Sequence, residues 1–308
     1  MLNNTHVPIL ITWDVDPDRW ATPEDRRLAL KMAMDLCQEL DVRSTFFFTA
    51  DFAHEYPSEI ERMRTTGHEI GCHGLNHAGD EEYDRMPEAI QRAYIKQATA
   101  KLEALTDSPI RAFRSPRVKI SAVTLQLLAE NGYLADSSIC SQRLDLVSSN
   151  LINKGWLVAP RRPYRPHRAN PFKRGDLPIW EVPLSALGLP FLSKTLNVLR
   201  VPVTKLFFRL LYEESKRTGK PIVYLSHPTE FIVPEEDCQP TLRYFSPKLL
   251  SPSYVRTHGF LLRNLLLRMD GETLFKSSRE LFAYMAACPD TAFMTVSEYA
   301  SQNLQGVS

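Results

Sequence analysis

The sequence predicts an α/β fold built on a parallel sheet or barrel. Two observations carry that expectation. Short apolar or β-branched runs alternate with helical stretches, and each parallel pairing needs such a crossover. The informative polar residues also fall at the carboxyl ends of the predicted strands, where α/β barrels place their chemistry.

The elements follow in order. Val7 to Trp13 is an apolar run that stops at Asp14 and Asp16, like a buried strand ending in a site. Pro23, Glu24 and Asp25 open a helix with Leu28, Met32, Leu36 and Leu40 at helical spacing. The β-branched and aromatic stretch Arg43 to Thr49 is a second strand. A helix from Pro57 to Thr66 ends at Gly67, and Glu69 to Cys72 is a third strand. Met86 to Leu105 is a long helix, Ile110 to Phe113 a strand, and Ser121 to Asn131 a helix capped by Gly132. The strand Tyr133 to Asp136 follows. Residues 141–178 break the rhythm before a strand at Ile179 to Leu184. Leu192 to Arg217 reads as a helix interrupted near Pro202, and Pro221 to Leu225 is a strand ending at Ser226-His227-Pro228. After an irregular insertion, helices at about 258–270 and 275–287 lead to a last strand, Ala292 to Val296.

Composition bounds the function. The 308 residues are 44% hydrophobic and 24% charged, which is ordinary for a globular chain with an ample core. A net charge of +1 argues against a dedicated nucleic-acid binder. Five cysteines form no C-x-x-C pair, and an odd, scattered set fits reduced thiols in a cytoplasmic compartment. The start has no basic head and long apolar segment, so no secretory signal is expected. No apolar run reaches the roughly 18 residues of a membrane span.

The chemistry concentrates around His73-Gly74-Leu75-Asn76-His77. Imidazoles four residues apart can face one cation. Asp14 and Asp16 could give one oxygen ligand and one free carboxylate. His227 is suited to deliver a proton near neutral pH, and Arg114 could hold a carboxylate ionised by a charge-assisted hydrogen bond. Cys72 beside His73 points the other way on an alternating strand and is expected to be buried packing; His68 reads as a polar turn residue. Asp136 is either a partner of Arg114 or His227, or a turn former before Ser137 and Ser138.

This ordered set resembles the polysaccharide deacetylase (NodB-homology) family of carbohydrate esterases over about residues 7–230. The motifs are Thr12-Trp13-Asp14-Val15-Asp16, His73-Gly74-Leu75-Asn76-His77, Arg114-Ser115-Pro116, Gly132 to Ser138, and Leu225-Ser226-His227. The resemblance implies a distorted (β/α) barrel of about seven parallel strands with C-terminal helical additions. It implies one catalytic domain over 1–308, with insertions at about 141–178 and 229–256. It also implies that Asp16, His73 and His77 bind a divalent metal, zinc by preference, with Asp14 as general base. Arg114 would steady that base, His227 would act as general acid, and Asp136 would belong to the catalytic set. The tryptophan that often follows the fourth motif's aspartate is absent, which implies a differently built acyl pocket.

The expected activity is therefore removal of an N-acyl group, acetyl by preference, from an amino sugar in a glycan or glycan precursor. The alternatives are hydrolysis of another C–N amide, by a deformylase of a lipid-linked amino sugar or an allantoinase-like enzyme, and a barrel that binds glycan without cleaving it. Arg161, Arg162, Arg165, Arg168, Lys173 and Arg174 have no acid among them, which reads as a solvated loop or as attraction to an anionic substrate. The segment Leu192 to Tyr212 mixes apolar and basic residues, as a barrel helix would, or as a helix in peripheral contact with a membrane that presents a lipid-linked substrate.

Overall fold

The structure, a computed structural model, describes residues 6–143, 154–234 and 269–303. In chain order the strands are β1 (Val7–Val15), β2 (Ser44–Phe48), β3 (Glu69–Cys72), β4 (Ala112–Phe113), β5 (Ala135–Asp136), β6 (Pro166–His167), β7 (Asn170–Arg174), β8 (Trp180–Glu181), β9 (Ala186–Leu187), β10 (Leu189–Pro190), β11 (Ile222–Ser226) and β12 (Thr291–Phe293). The helices are α1 (Pro23–Glu39), α2 (Pro57–Thr65), α3 (Glu88–Thr106), α4 (Ala122–Glu130), α5 (Lys154–Val158), α6 (Ser193–Thr218), α7 (Gly271–Ala286) and α8 (Val296–Asn303).

The main sheet runs β11-β1-β2-β3-β4-β5-β8, with every neighbouring pair parallel, and β12 adds to the start of β1. All nine residues of β1 are buried, as befits a strand covered on both faces in a parallel sheet. The sheet curls, and its two edges meet through a chain segment instead of a strand pair. Val223 N donates to Ser185 Oγ at 3.0 Å, Ser185 N donates to Val223 O at 3.2 Å, and Leu192 bridges Leu225. That seam is what distorts the barrel. One contiguous core runs from Val7 to Ala300, and Trp13 sits in it, stacked on Phe46 and edge-on to Phe231 and Phe282.

Local sequence sets most boundaries. Thr22 and Asp25 form a capping box at the start of α1, Ser121 and Thr124 one at the start of α4, and Asp270 caps α7. Gly67 and Gly132 take positive φ just past α2 and α4, as expected of helix-ending glycines.

Several expectations need correction. The buried face of α1 is Arg26, Ala29, Leu30, Ala33, Met34, Leu36 and Cys37, while Leu28 is exposed. Leu36 is part of that face and Met32 and Leu40 pack against the core, so Leu28 alone of the apolar set falls outside it. Residues 166–174 hold an antiparallel hairpin, β6–β7, inside the stretch read as irregular. In α6 the break falls at Arg200, which has φ 65°, two residues before Pro202. The α7 helix starts at Gly271, not about 275, and Val296 opens α8 instead of ending a strand. The helix expected at about 258–270 and most of the insertion at 229–256 lie outside the described residues.

No helix among the described residues is long and apolar enough to cross a membrane. Helix α6 buries Leu196, Phe207, Phe208 and Leu211 but exposes Val198, Val203, Leu206 and Leu210.

Candidate metal and catalytic site

The expected site residues converge on the carboxyl edge of the sheet. Asp14 is on β1 and Asp16 one residue beyond it; His73, Arg114 and His227 each follow directly on β3, β4 and β11. The parallel ladder continues into these residues and fixes their backbones. His73 N donates to Phe48 O at 2.7 Å, and Arg114 N donates to Cys72 O at 2.9 Å.

Asp16 is the hub. Its Oδ1 lies 3.2 Å from His73 Nε2 and 3.6 Å from His77 Nε2, and its Oδ2 lies 3.7 Å from His227 Nε2. One ligand atom from each of Asp16, His73 and His77 falls within 4.8 Å of the others. Donors bonded to one zinc at about 2.0–2.2 Å must lie about 3–4 Å apart, so these side chains fit an ion with little adjustment. The tautomer of His73 agrees. Its Nδ1 lies 2.8 Å from the Arg114 carbonyl, which can only accept, so the neutral ring carries its proton there. Nε2 then presents a lone pair to Asp16 Oδ1, a buried oxygen with no hydrogen-bond donor. Two lone pairs at that distance call for a cation between them. A carbonyl orienting the far side of the ring is the usual support of a metal-binding histidine.

The titration tendencies follow from this crowding. Burial pushes the Asp16 carboxyl up, but the close approach of His73 and the three nearby imidazoles outweigh it and hold the group well below its ordinary range. Burial disfavours a charged His73, yet Asp14 and Asp16 together raise it. His77 is lowered, chiefly by burial.

The loop carrying His77 is held by a residue that the sequence reading missed. Glu81 is fully buried, and its carboxylate accepts from the backbone N–H of Leu75 at 2.6 Å, Asn76 at 2.9 Å and His77 at 2.6 Å. Tyr83 Oη adds a fourth bond at 3.0 Å. This clamp allows His77 its φ of 53°. Gly74, at φ 78°, lies so close to the clamp that a Cβ would fall 2.6 Å from Glu81 Oε1. A carboxylate four residues after the second histidine is the only sequence signal, and it is weak alone.

Arg114 is buried without exposure and uses its whole guanidinium. Nη1 donates to Asp14 Oδ1 at 2.9 Å and Thr12 Oγ1 at 2.8 Å; Nε and Nη2 donate to Ser137 O and Oγ at 2.8 and 2.9 Å. Its cation sits 4.4 Å over the Phe47 ring. Asp14 thereby has one oxygen pinned, while Oδ2 stays 3.9 Å from His73 Nε2.

Asp136 lies behind this arrangement. It accepts from Ser138 Oγ at 2.7 Å and Ser138 N at 3.2 Å, and it lies beside Glu181, its register partner on β8. Burial pushes both carboxyls up, and the Asp136 charge raises Glu181 further. Glu181 was not singled out from sequence, because only strand pairing brings it to Asp136.

His227 has a dedicated partner. Its Nδ1 lies 3.4 Å from Glu230 Oε1, which in turn lies 3.5 Å from Lys194 Nζ. Burial opposes charge on the ring, but Glu230 pushes His227 up to about 9. Burial likewise opposes the Glu230 carboxylate, yet Lys194 and His227 hold it at about 2. The i, i+3 spacing from His227 was the available signal.

Cys72 is buried, with its Sγ 3.8 Å from Gly74 O and its thiol pushed up to about 12 by burial, so it takes no part. His68 Nδ1 accepts from Ser44 N at 3.2 Å, which makes it more than a turn residue. Among the basic residues of 161–174, Arg161 pairs with Glu214, Arg168 with Asp176, and Arg165 and Arg174 lie over Trp180 and Tyr164. These partners explain much of that charge structurally.

The family model for polysaccharide deacetylase matches residues 3–135, the stretch that holds both acids, both histidines and Arg114. Over that stretch the chain is similar to the polysaccharide deacetylase (NodB-homology) family. Solved structures give the same fold. A Mycobacterium smegmatis protein assigned as a polysaccharide deacetylase is 18% identical, with 98% of this chain and 91% of that one covered and a TM-score of 0.61. A similarly assigned protein of Pseudomonas aeruginosa PAO1 is 15% identical over 96% and 91%, with a TM-score of 0.60. Puue allantoinase is 14% identical over 97% and 91%, with a TM-score of 0.58. At such identities the likeness is one of fold. It extends polysaccharide deacetylase architecture through the C-terminal half, beyond the family-model match.

Proposed function

We propose that the chain is a metal-dependent hydrolase that removes an N-acyl group, acetyl by preference, from an amino sugar of a glycan or glycan precursor. The observation that carries this reading is the Asp16, His73 and His77 cluster, with Asp14 against one side and His227 against the other. The single core from Val7 to Ala300 supports treating residues 1–308 as one catalytic domain. Four buried free thiols, Cys37, Cys72, Cys140 and Cys288, support the reducing, cytoplasmic compartment.

Asp16, His73 and His77 would hold a divalent ion, zinc by preference for this donor set, which when bound would supply a Lewis acid for the acyl carbonyl and for water. Asp14 Oδ2 takes the proton of the attacking water, while Arg114 fixes Oδ1 by a charge-assisted hydrogen bond. A C–O bond forms and the C–N bond breaks. His227 gives its Nε2 proton to the departing nitrogen, and Glu230 orients the ring through Nδ1. Asp136, paired with Glu181, sets the wall behind Arg114 through Ser138. The products are a carboxylic acid and a free amine.

A screen for acetate and formate release from N-acylated sugars, with and without added zinc, tests the reading. Zinc-dependent acetate release is the expected result. Formate alone would favour the deformylase alternative, and no release of either would leave the non-catalytic barrel. The exposed Val203, Leu206 and Leu210 stripe, with the exposed Arg209 beside it, favours adding lipid-linked substrates in vesicles to the same screen.

A general acid must be protonated, so activity is expected to fall as pH rises through the His227 value near 9. Glu230→Gln removes the main cause of that elevation. The basic limb of the kcat profile then moves down toward the ordinary histidine value of about 6.5, with the acid limb in place. An unmoved basic limb would remove Glu230 as the partner of the acid.

A further inference from the structure

Trp20 stands out among the four tryptophans of this chain. Trp13 and Trp156 are fully buried and Trp180 is half-buried, whereas Trp20 is 56% exposed. It lies on the loop between Asp16 and α1, four residues from the hub of the site. An exposed indole presents a large, rigid apolar face with a polar N–H at its edge.

The Trp20 side chain lies beside the Asp18 carboxylate, which accepts a hydrogen bond from Thr229 Oγ1. Thr229 is two residues past His227, so Asp18 joins the two loops that flank the site. The backbone behind the ring is braced as well. Ala21 N donates to Asp18 O at 3.0 Å, Arg26 Nη1 donates to Ala21 O at 2.8 Å, and Arg26 is itself fixed to Glu55 at 2.7 Å. A rigid aromatic face beside a carboxylate is the pairing that a sugar ring needs, apolar C–H groups on one side and hydroxyl donors at the edge.

We propose that Trp20 and Asp18 form a carbohydrate subsite at the mouth of the active site. Trp20 takes the apolar face of a pyranose ring, and Asp18 accepts from one of its hydroxyls. This inference rests on the amino-sugar reading of the site and assigns a binding role that the catalytic residues do not fill.

The test follows the indole N–H signals of the intact protein by NMR during titration with tetramers of N-acetylglucosamine and of N-acetylgalactosamine and with their de-N-acetylated forms. The Trp20 signal is expected to shift with at least one tetramer. Trp20→Ala is expected to weaken that binding, and raise KM where acyl release is measurable, by at least about tenfold with kcat within about twofold; Trp20→Phe should stay within about threefold of wild type. A silent Trp20 signal with every tetramer, or equal binding by Trp20→Ala, would overturn the subsite. Acyl release with a silent Trp20 would refute the subsite and leave the hydrolase reading standing. A Trp20 shift without acyl release would do the reverse.

Discussion

Replacing Asp14 with Asn is expected to lower kcat by about 10²–10⁴-fold, the range for loss of a positioned general base. Divalent-metal affinity should change little. Asn keeps the shape of the side chain and can still accept from Arg114 Nη1 through its amide oxygen, so the wall formed by Thr12, Arg114 and Ser137 keeps its hydrogen bonds. The amide cannot take a proton from water. Zinc titration by calorimetry beside steady-state kinetics separates the possible roles. Preserved turnover would remove Asp14 as the base, and lost zinc binding would make it a ligand. Arg114 is a poor alternative probe, because breaking a buried ion pair costs about 3–5 kcal/mol and would confuse folding with chemistry.

Glu81→Ala is the second large effect. The substitution orphans three backbone N–H groups, those of Leu75, Asn76 and His77, and the Tyr83 hydroxyl. Each buried unsatisfied donor costs about 1–3 kcal/mol, so a loss of several kcal/mol of stability is expected in thermal unfolding. The loop would also release His77 from its positive φ, and zinc affinity should fall by about 10–100-fold, as for other residues that orient ligands. Glu81→Gln retains a carbonyl acceptor and should recover part of both losses. Zinc affinity unchanged in Glu81→Ala would show that the ligand loop holds itself.

Much of this molecule was legible before its structure. The strands were read because a parallel strand covered on both faces is a continuous apolar run, as in Val7 to Trp13. Asp14, Asp16, His73, Arg114 and His227 were legible because the chain places its polar residues where such runs stop. What was missed has a common cause. In α1, Leu36, Met32 and Leu40 meet the core as their spacing suggests, but Leu28 is exposed, and Arg26 is buried through its bond to Glu55. The β6–β7 hairpin was missed because prolines and arginines hide its pairing.

The supporting carboxylates belong to the same class. Glu81, Glu181 and Glu230 look like surface acids in the sequence, since a glutamate's role depends on which donors surround it. Glu230 and Glu81 act over a few residues of a specific turn, and Glu181 acts only because β5 and β8 come into register.

The sequence by itself determined the chemistry of the first contact layer: which groups could bind an ion, accept a proton or give one. Its local apolar pattern and capping residues set the strands and helices that carry them. Only the tertiary structure decided how those groups are aimed. The Arg114 carbonyl chooses the tautomer of His73, Glu81 holds the loop of His77, and Glu230 sets the charge of His227. Orientation and charge depend on distances between segments far apart in the chain, and those distances exist only once the sheet has curled.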